Sequence, residues 1–175
     1  MKIRIALATA TAVMAFSGSA SAVVVTGTAA ANANIVAPAS VTSIRTLDFG
    51  TIARPSTASN TITVPSSAAA TVTPTITGGG NAFIPTAGLG HAATFRLLGM
   101  PSQTIAVTAN TLTFVSSTGN LSSIVALAPV ASAGTLTQLP AAGTADFFVG
   151  GAFDISPTTA IQAYTGTVTL SIDFN

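Results

Sequence analysis

The segment YTGTVTLSIDF, residues 164–174, decides the fold class. Apolar residues or glycine occupy its even positions, and Thr, Ser or Asp occupy its odd positions. Successive side chains of a β-strand point to opposite faces, whereas a helix would scatter this pattern around its circumference. The segment is therefore predicted to be a strand with one apolar face, and that face consists of Tyr164, Gly166, Val168, Leu170, Ile172 and Phe174.

The same alternation recurs in shorter runs along the chain, separated by Gly- and Pro-rich turn signals. Residues 61–64 and 71–77 alternate Thr with Ile or Val, and residues 145–155 form an apolar run that Gly150-Gly151 interrupts as a bulge or bend would. Many short strands between regular turns predict an antiparallel β-sandwich. The pattern leaves the conformation of residues 119–140 open.

The first 22 residues have the layout of a secretory signal peptide. A basic start is followed by an apolar stretch over residues 5–16 and by Ala20-Ser21-Ala22, so cleavage is expected after Ala22. The alternative is a membrane anchor, but the apolar stretch is shorter than the ~20 residues that a spanning helix needs. The chain is therefore expected to be exported to the periplasm, the cell surface or the extracellular space.

Removal of the signal leaves very little charge. Lys2 and Arg4 leave with it, so three Arg and four Asp remain, a formal charge of −1. No basic patch is left to bind phosphates, which argues against a nucleic-acid partner. Only 5% of the chain is charged, against ~25% in ordinary soluble domains, and such a surface tolerates packing against copies of itself.

The inventory of reactive side chains is small. The chain has no Cys, and His91 is its single histidine. A catalytic zinc site normally needs several His or Cys ligands, and no G-x-S-x-G motif singles out a Ser nucleophile. Asp146, Asp154 and Asp173 lack the clustered spacing of a calcium loop and are interpreted as solvated strand residues. We therefore expect no catalytic residue, metal, cofactor or small-molecule substrate.

The segment that follows the signal is predicted to be a long extended strand ending near Pro38. Its odd positions form one smooth face, and its even positions include Thr and Asn. Such a strand either pairs within its own sheet or reaches into a neighbouring molecule. The candidate donor residues are Val23, Val25, Gly27, Ala29, Ala31, Ala33 and Ile35.

Three parts of the chain, VVVTGTAAANANIVAP (23–38), SIRTLDFGTI (43–52) and residues 143–175, resemble a family of secreted bacterial β-domains catalogued as a domain of unknown function. That family is similar to spore-coat protein U and to the pilin subunits of chaperone–usher fimbriae. The resemblance implies an immunoglobulin-like sandwich, which in pilins is incomplete and is completed by donor-strand exchange. It implies that residues 23–37 are the donated strand and that the apolar face of 164–174 flanks the groove and contacts a chaperone.

The resulting expectation is a signal peptide (1–22), an N-terminal extended strand (23–40) and a β-sandwich domain (41–175). The predicted function is a secreted, non-enzymatic structural subunit that self-associates through strand exchange, with a periplasmic chaperone and an outer-membrane usher as possible partners. One alternative is a non-polymeric extracellular binding module. A small outer-membrane β-barrel is the less favoured alternative, because the chain has no Trp and only one Tyr for aromatic girdles.

Overall fold

The structure is a computed structural model that describes residues 24–33, 35, 38–115, 121–132, 134 and 136–174. The chain divides after residue 34 into two units, 1–34 and 35–175. In the first unit, residues 24–33 have no regular secondary structure and are exposed. The predicted signal peptide lies outside the described residues. No helix among the described residues is long and apolar enough to span a bilayer.

All regular secondary structure described in the second unit is β, as the sequence predicted. The strands are β1 Ser40–Arg45, β2 Asn60–Val64, β3 Thr75–Gly78, β4 Ala93–Leu98, β5 Ile105–Phe114, β6 Ser122–Ala126, β7 Val130–Ala131, β8 Thr144–Val149, β9 Gly151–Ile155 and β10 Gly166–Phe174. They pair antiparallel in three sheets, with the orders β1-β4-β8-β7, β3-β2-β9-β6 and β10-β5. This architecture is consistent with a β-sandwich.

The period-two pattern of β2 shows how the sequence builds the core. Asn60, Ile62 and Val64 are buried, whereas Thr61 and Thr63 between them are half-buried on the opposite face. Fully burying an aliphatic side chain contributes about 1.5–3 kcal/mol. Ile62 and Val64 are completely buried and belong to a cluster between the sheets, with Phe49, Leu112, Phe153 and Ile155.

A second cluster fills the other end of the sandwich. Leu97 of β4 and Phe147 of β8 are its central side chains, and the apolar face of β10 packs against it. The strand predicted over 164–174 is confirmed from Gly166 onward. Its odd positions are exposed and its even positions from Val168 to Phe174 are only half-buried, so its apolar face is incompletely covered.

Strands β8 and β9 are one run of chain that changes sheet at Gly150, which confirms the predicted interruption. β8 pairs with β4 in one sheet, and β9 pairs with β2 in another. The Gly150 N–H donates to Ser66 Oγ at 2.8 Å, and a Cβ on Gly150 would lie 2.6 Å from the carbonyl carbon of Pro65. Only glycine allows the backbones to approach this closely.

The segment that the sequence left open contains both strand and loop. β6 and β7 lie within residues 119–140, and residues 116–120 are outside the described part. β6 pairs with β9 and β7 with β8, each at the edge of its sheet. Pro74 immediately precedes β3, which is also an edge strand, as expected for a residue without a backbone donor.

Candidate functional site: a groove between two sheet edges

The candidate site is a groove of about 1070 Å³ between two stretches of backbone, which we call the edge groove. One wall consists of Ser43 and residues 45–54, which are the end of β1 and the chain that follows it. The other wall consists of residues 159–168, which lead into β10. Leu47 of the first wall and Val168 of the second pack on the same cluster, and further along the groove Arg54 of the first wall is hydrogen-bonded to Thr159 of the second. The two walls therefore run in opposite directions.

Three phenylalanines form the floor of the groove, which we call the aromatic floor. The ring of Phe153 lies 4.7 Å from that of Phe49 and 5.4 Å from that of Phe114, both in edge-on geometry. The rings of Phe49 and Phe114 are 6.0 Å apart. Aromatic pairs at these separations contribute about 0.5–1.5 kcal/mol beyond their area burial. The floor is therefore a rigid apolar surface.

The backbone around Asp48 positions Phe49 on this floor. Asp48 and His91 exchange two backbone hydrogen bonds of 2.9 and 2.8 Å, and the Asp48 carboxylate accepts the Gly50 N–H at 2.8 Å. Gly50 has a φ of +69°, and a Cβ there would lie 2.8 Å from Leu89 O. A tight turn that needs glycine thus directs Phe49 inward.

Two side-chain hydrogen bonds shape one end of the groove. Arg54 Nη1 donates to Thr159 O at 2.9 Å and so joins the two walls. Tyr164 Oη donates to Ala160 O at 2.8 Å within the second wall. The tip of this wall exposes an apolar side chain, because Ile161 is 83% exposed.

The groove lies between two strand edges that lack a neighbour. Among the described residues, β10 is paired only with β5 and β1 only with β4. A strand edge without a second partner strand can accept the backbone hydrogen bonds of an added strand. Val41 shares the inward face of β1, because it pairs with Leu97, yet it is 39% exposed. The apolar surface on this side of the sandwich is incompletely covered.

The structure places the predicted groove residues in two groups. Tyr164, Gly166 and Val168 line the edge groove. Leu170, Ile172 and Phe174 continue the same face and pack on the second core cluster. The role of all six as a groove or chaperone-contact strand stays a prediction.

The predicted donor residues lie in or next to the first unit. Val23 lies outside the described residues. Those from Val25 to Ala33 are exposed and belong to no strand, and Ile35, the first residue of the second unit, is 94% exposed. A single extended segment forms no ladder until its backbone groups find a partner strand. Its role as a donor strand also stays a prediction.

The titratable residues form ordinary polar pairs rather than a reactive cluster. Arg96 Nε and Nη2 each donate to Asp146 at 2.8 Å, and this hydrogen-bonded guanidinium lowers the pKa of the Asp146 carboxyl. Hydrogen bonds from Ser123 and Thr61 lower the pKa of Asp154. His91 Nδ1 lies 3.0 Å from Thr46 O. No group of three or more metal-ligating residues occurs within the described part of the chain.

Sequence reasoning missed one wall of the groove and its floor. Residues 45–54 carry no period-two pattern, and Phe49, Phe114 and Phe153 lie far apart in the sequence. Arg54 and the stretch 159–163 were also not identified as groove residues. The available signal was the large apolar side chain that each of these separate segments carries.

The fold and the groove together define a class: an all-β sandwich domain with an open, apolar groove between two strands whose outer edges have no partner strand within the described part of the chain. The chain belongs to the family described as Domain of unknown function (DUF4402), whose family model matches residues 40–174. No curated protein and no solved structure gives a significant match. The similarity to spore-coat protein U and to pilin subunits stays a prediction.

Proposed function

We propose that this chain is a secreted, non-enzymatic structural subunit that polymerises by strand donation. The N-terminal segment of one copy, residues 23–35, enters the edge groove of the next copy and pairs with its open strand edges. A periplasmic chaperone and an outer-membrane usher are the partners proposed for export and assembly. The observation that carries the proposal is that β1 and β10, each with a single partner strand among the residues the structure describes, border one apolar groove.

An added strand would satisfy both the polar and the apolar groups left open along β10. β10 is nine residues long and has no second partner strand among the described residues, and main-chain hydrogen bonds are the usual source of affinity in strand addition. The half-buried side chains of Val168, Leu170, Ile172 and Phe174 would lose further contact with water. Each 100 Å² of apolar surface removed from water would stabilise the assembly by about 2.5 kcal/mol.

The N-terminal segment has the properties of a strand that is available for donation. Val24 and Val25 are 83% and 87% exposed, and Ile35 is 94% exposed. Residues 24–33 contain no charged side chain that would have to be desolvated on entering the groove. Gly27 and the Ala positions present a small-residue face, which allows a close backbone approach.

Assembly can be tested with the purified chain without its predicted signal peptide, residues 23–175, diluted from denaturant at high concentration. We expect oligomers in size-exclusion chromatography and filaments in electron microscopy. Ile35→Asp places a charge on the apolar face of the donor segment and should abolish both. Asn32→Asp adds the same charge on the opposite face and is the matched control that should still assemble.

The outcomes separate the candidate functions. A wild-type chain that refolds and stays monomeric at every concentration refutes strand donation and favours the non-polymeric binding module. Assembly that is equally strong in Ile35→Asp also refutes it, because the apolar face of the segment would then have no role. Loss of assembly in both aspartate variants would show only a sensitivity to charge and would likewise contradict face-specific insertion.

A further inference from the structure

Resting on the proposed function, the geometry points to one polarity and one register for the donated strand. We infer that it runs antiparallel to β10, with Ile35 opposite Gly166 and its side chain on the aromatic floor. Ile35 is then the residue that determines which strand the groove accepts. The inference follows from a gap in β10, from the sizes of the donor side chains and from the directions of the two edges.

The gap is at Gly166, the first residue of β10. It occupies an even position, on the apolar face, and pairs directly with Phe114. A Cβ at Gly166 would lie 3.0 Å from the carbonyl carbon of Thr113 and 3.1 Å from Cα of Phe114, so no side chain fits there. The wall of the groove therefore has no side chain at this one position, next to Phe114 of the aromatic floor. A side chain from a neighbouring strand, directly opposite Gly166, can cover this gap.

The sizes of the donor side chains determine which end of the donor segment covers the gap at Gly166. Ile35 is the largest side chain on the apolar face of the segment, which is otherwise Val, Gly and Ala. At the far end of β10 the space is occupied by the chain's own Phe174, which packs on the cluster of Leu97 and Leu139. The end of β10 at Gly166 is thus the place where the largest donor side chain has room to be buried.

The directions of the two edges give the same polarity independently. From Val168 to Phe174, successive residues of β10 pack against successive residues of β4, so β10 and β4 run in the same direction. Because β1 is antiparallel to β4, β1 and β10 run in opposite directions. A strand between them is antiparallel to one edge and parallel to the other. β10 has nine residues, whereas β1 has six and an irregularity between Ser43 and Arg45. Antiparallel pairing is the more stable per residue, so it should form along the longer edge.

This register predicts which outward-facing residues become neighbours. With Ile35 opposite Gly166, Asn32 lies opposite Thr169 and Thr28 lies opposite Asp173. The reversed polarity, with Val25 at Gly166, would exchange these partners, placing Thr28 opposite Thr169 and Asn32 opposite Asp173. All four positions are exposed, so substitution there does not disturb the core.

The absence of natural cysteines makes disulfide mapping unambiguous. Donor chains carrying Asn32→Cys or Thr28→Cys are mixed with acceptor chains carrying Thr169→Cys or Asp173→Cys, refolded together and oxidised. Mass spectrometry then quantifies disulfides between unlike chains. The pairs 32–169 and 28–173 should exceed the exchanged pairs by about tenfold or more, given that disulfides require Cα atoms roughly 4.4–6.8 Å apart.

A second measurement tests the role of Ile35 without cysteines. Ile35→Ala should raise the concentration needed for assembly by about tenfold or more, whereas Val25→Ala should raise it by less than about threefold. Dominant 28–169 and 32–173 cross-links, equal yields for all pairs, or a larger effect from Val25→Ala would overturn the inference while leaving strand donation intact. A chain that neither cross-links nor assembles would instead overturn the proposed function.

Discussion

Replacing Gly150 by alanine tests the joint at which the chain passes from one sheet to another. The added Cβ would lie 2.6 Å from the carbonyl carbon of Pro65 and 2.7 Å from the backbone nitrogen of Ser66. Ordinary contacts of a Cβ begin near 3.4 Å, so the contact with the Pro65 carbonyl carbon alone requires the backbones to separate by about 0.8 Å (3.4 minus 2.6), and Val64 O lies nearer still. The atoms in the way are main chain and cannot rotate aside as a side chain would.

The expected cost follows from this displacement. Overpacking a core typically costs about 1–3 kcal/mol, and occasionally more. Separation of the two segments would also stretch the bond from the Gly150 N–H to Ser66 Oγ, at about 0.5–1.5 kcal/mol. We therefore expect Gly150→Ala to lower the free energy of unfolding by about 3 kcal/mol.

Urea denaturation followed by circular dichroism measures this loss. Gly79→Ala is the matched control, because the nearest atom to its added Cβ is Ala58 Cβ at 4.0 Å. The control should change stability by no more than about 0.5 kcal/mol. A loss below about 1 kcal/mol in Gly150→Ala, with Gly79→Ala unchanged, would refute the close approach as the reason for glycine at this joint.

Three further predictions concern the core and the surface pairs. Ile62→Ala should lower the free energy of unfolding by about 2–5 kcal/mol because it leaves a cavity in a completely buried site, and Thr63→Ala on the other face should cost much less; equal losses in urea denaturation would contradict the assignment of faces. The pKa of Asp146 is lowered in the folded chain by the hydrogen bonds from Arg96, so its contribution to stability is present above the unfolded pKa near 4 and is lost as pH falls through the folded pKa. Asp146→Asn should therefore flatten the decline of stability between about pH 5 and pH 2, and an unchanged slope would count against the pair. Thr61→Val removes one of two hydroxyls that lower the pKa of Asp154, so carbon NMR of that carboxyl should show a higher pKa, whereas Thr63→Val should leave it unchanged.

The elements that the sequence predicted are those set by local alternation. The alternation in 61–64 and 164–174 indicates which face of each strand is buried, because successive side chains in a strand point to opposite faces. The break at Gly150-Gly151 was equally visible, since glycine inside an apolar run marks a bend or a close approach. These signals need no knowledge of the partner strands.

The edge groove is formed by contacts between residues far apart in the sequence, and a local alternation pattern does not encode such contacts. Its first wall is held by the isolated bridges Asp48–His91 and Ala53–Phe83, which join residues with no alternating neighbours. Its floor unites Phe49, Phe114 and Phe153 from three parts of the chain. Sequence reasoning identified the second wall from residue 164 onward because that part is a regular strand. It could not show that this strand would have a single partner strand, β5, in the described part of the chain.

The passage of one continuous run through Gly150 also bears on how the domain opens. β8 and β9 carry the covalent chain from one hydrogen-bonded sheet directly into another without an intervening loop. The two layers therefore cannot slide past each other or detach singly without disrupting this shared ribbon. Backbone amides of β4 and of β2 should accordingly lose their protection from hydrogen exchange in the same global opening of the domain. In the proposed filament, tension would therefore unfold one whole domain at a time.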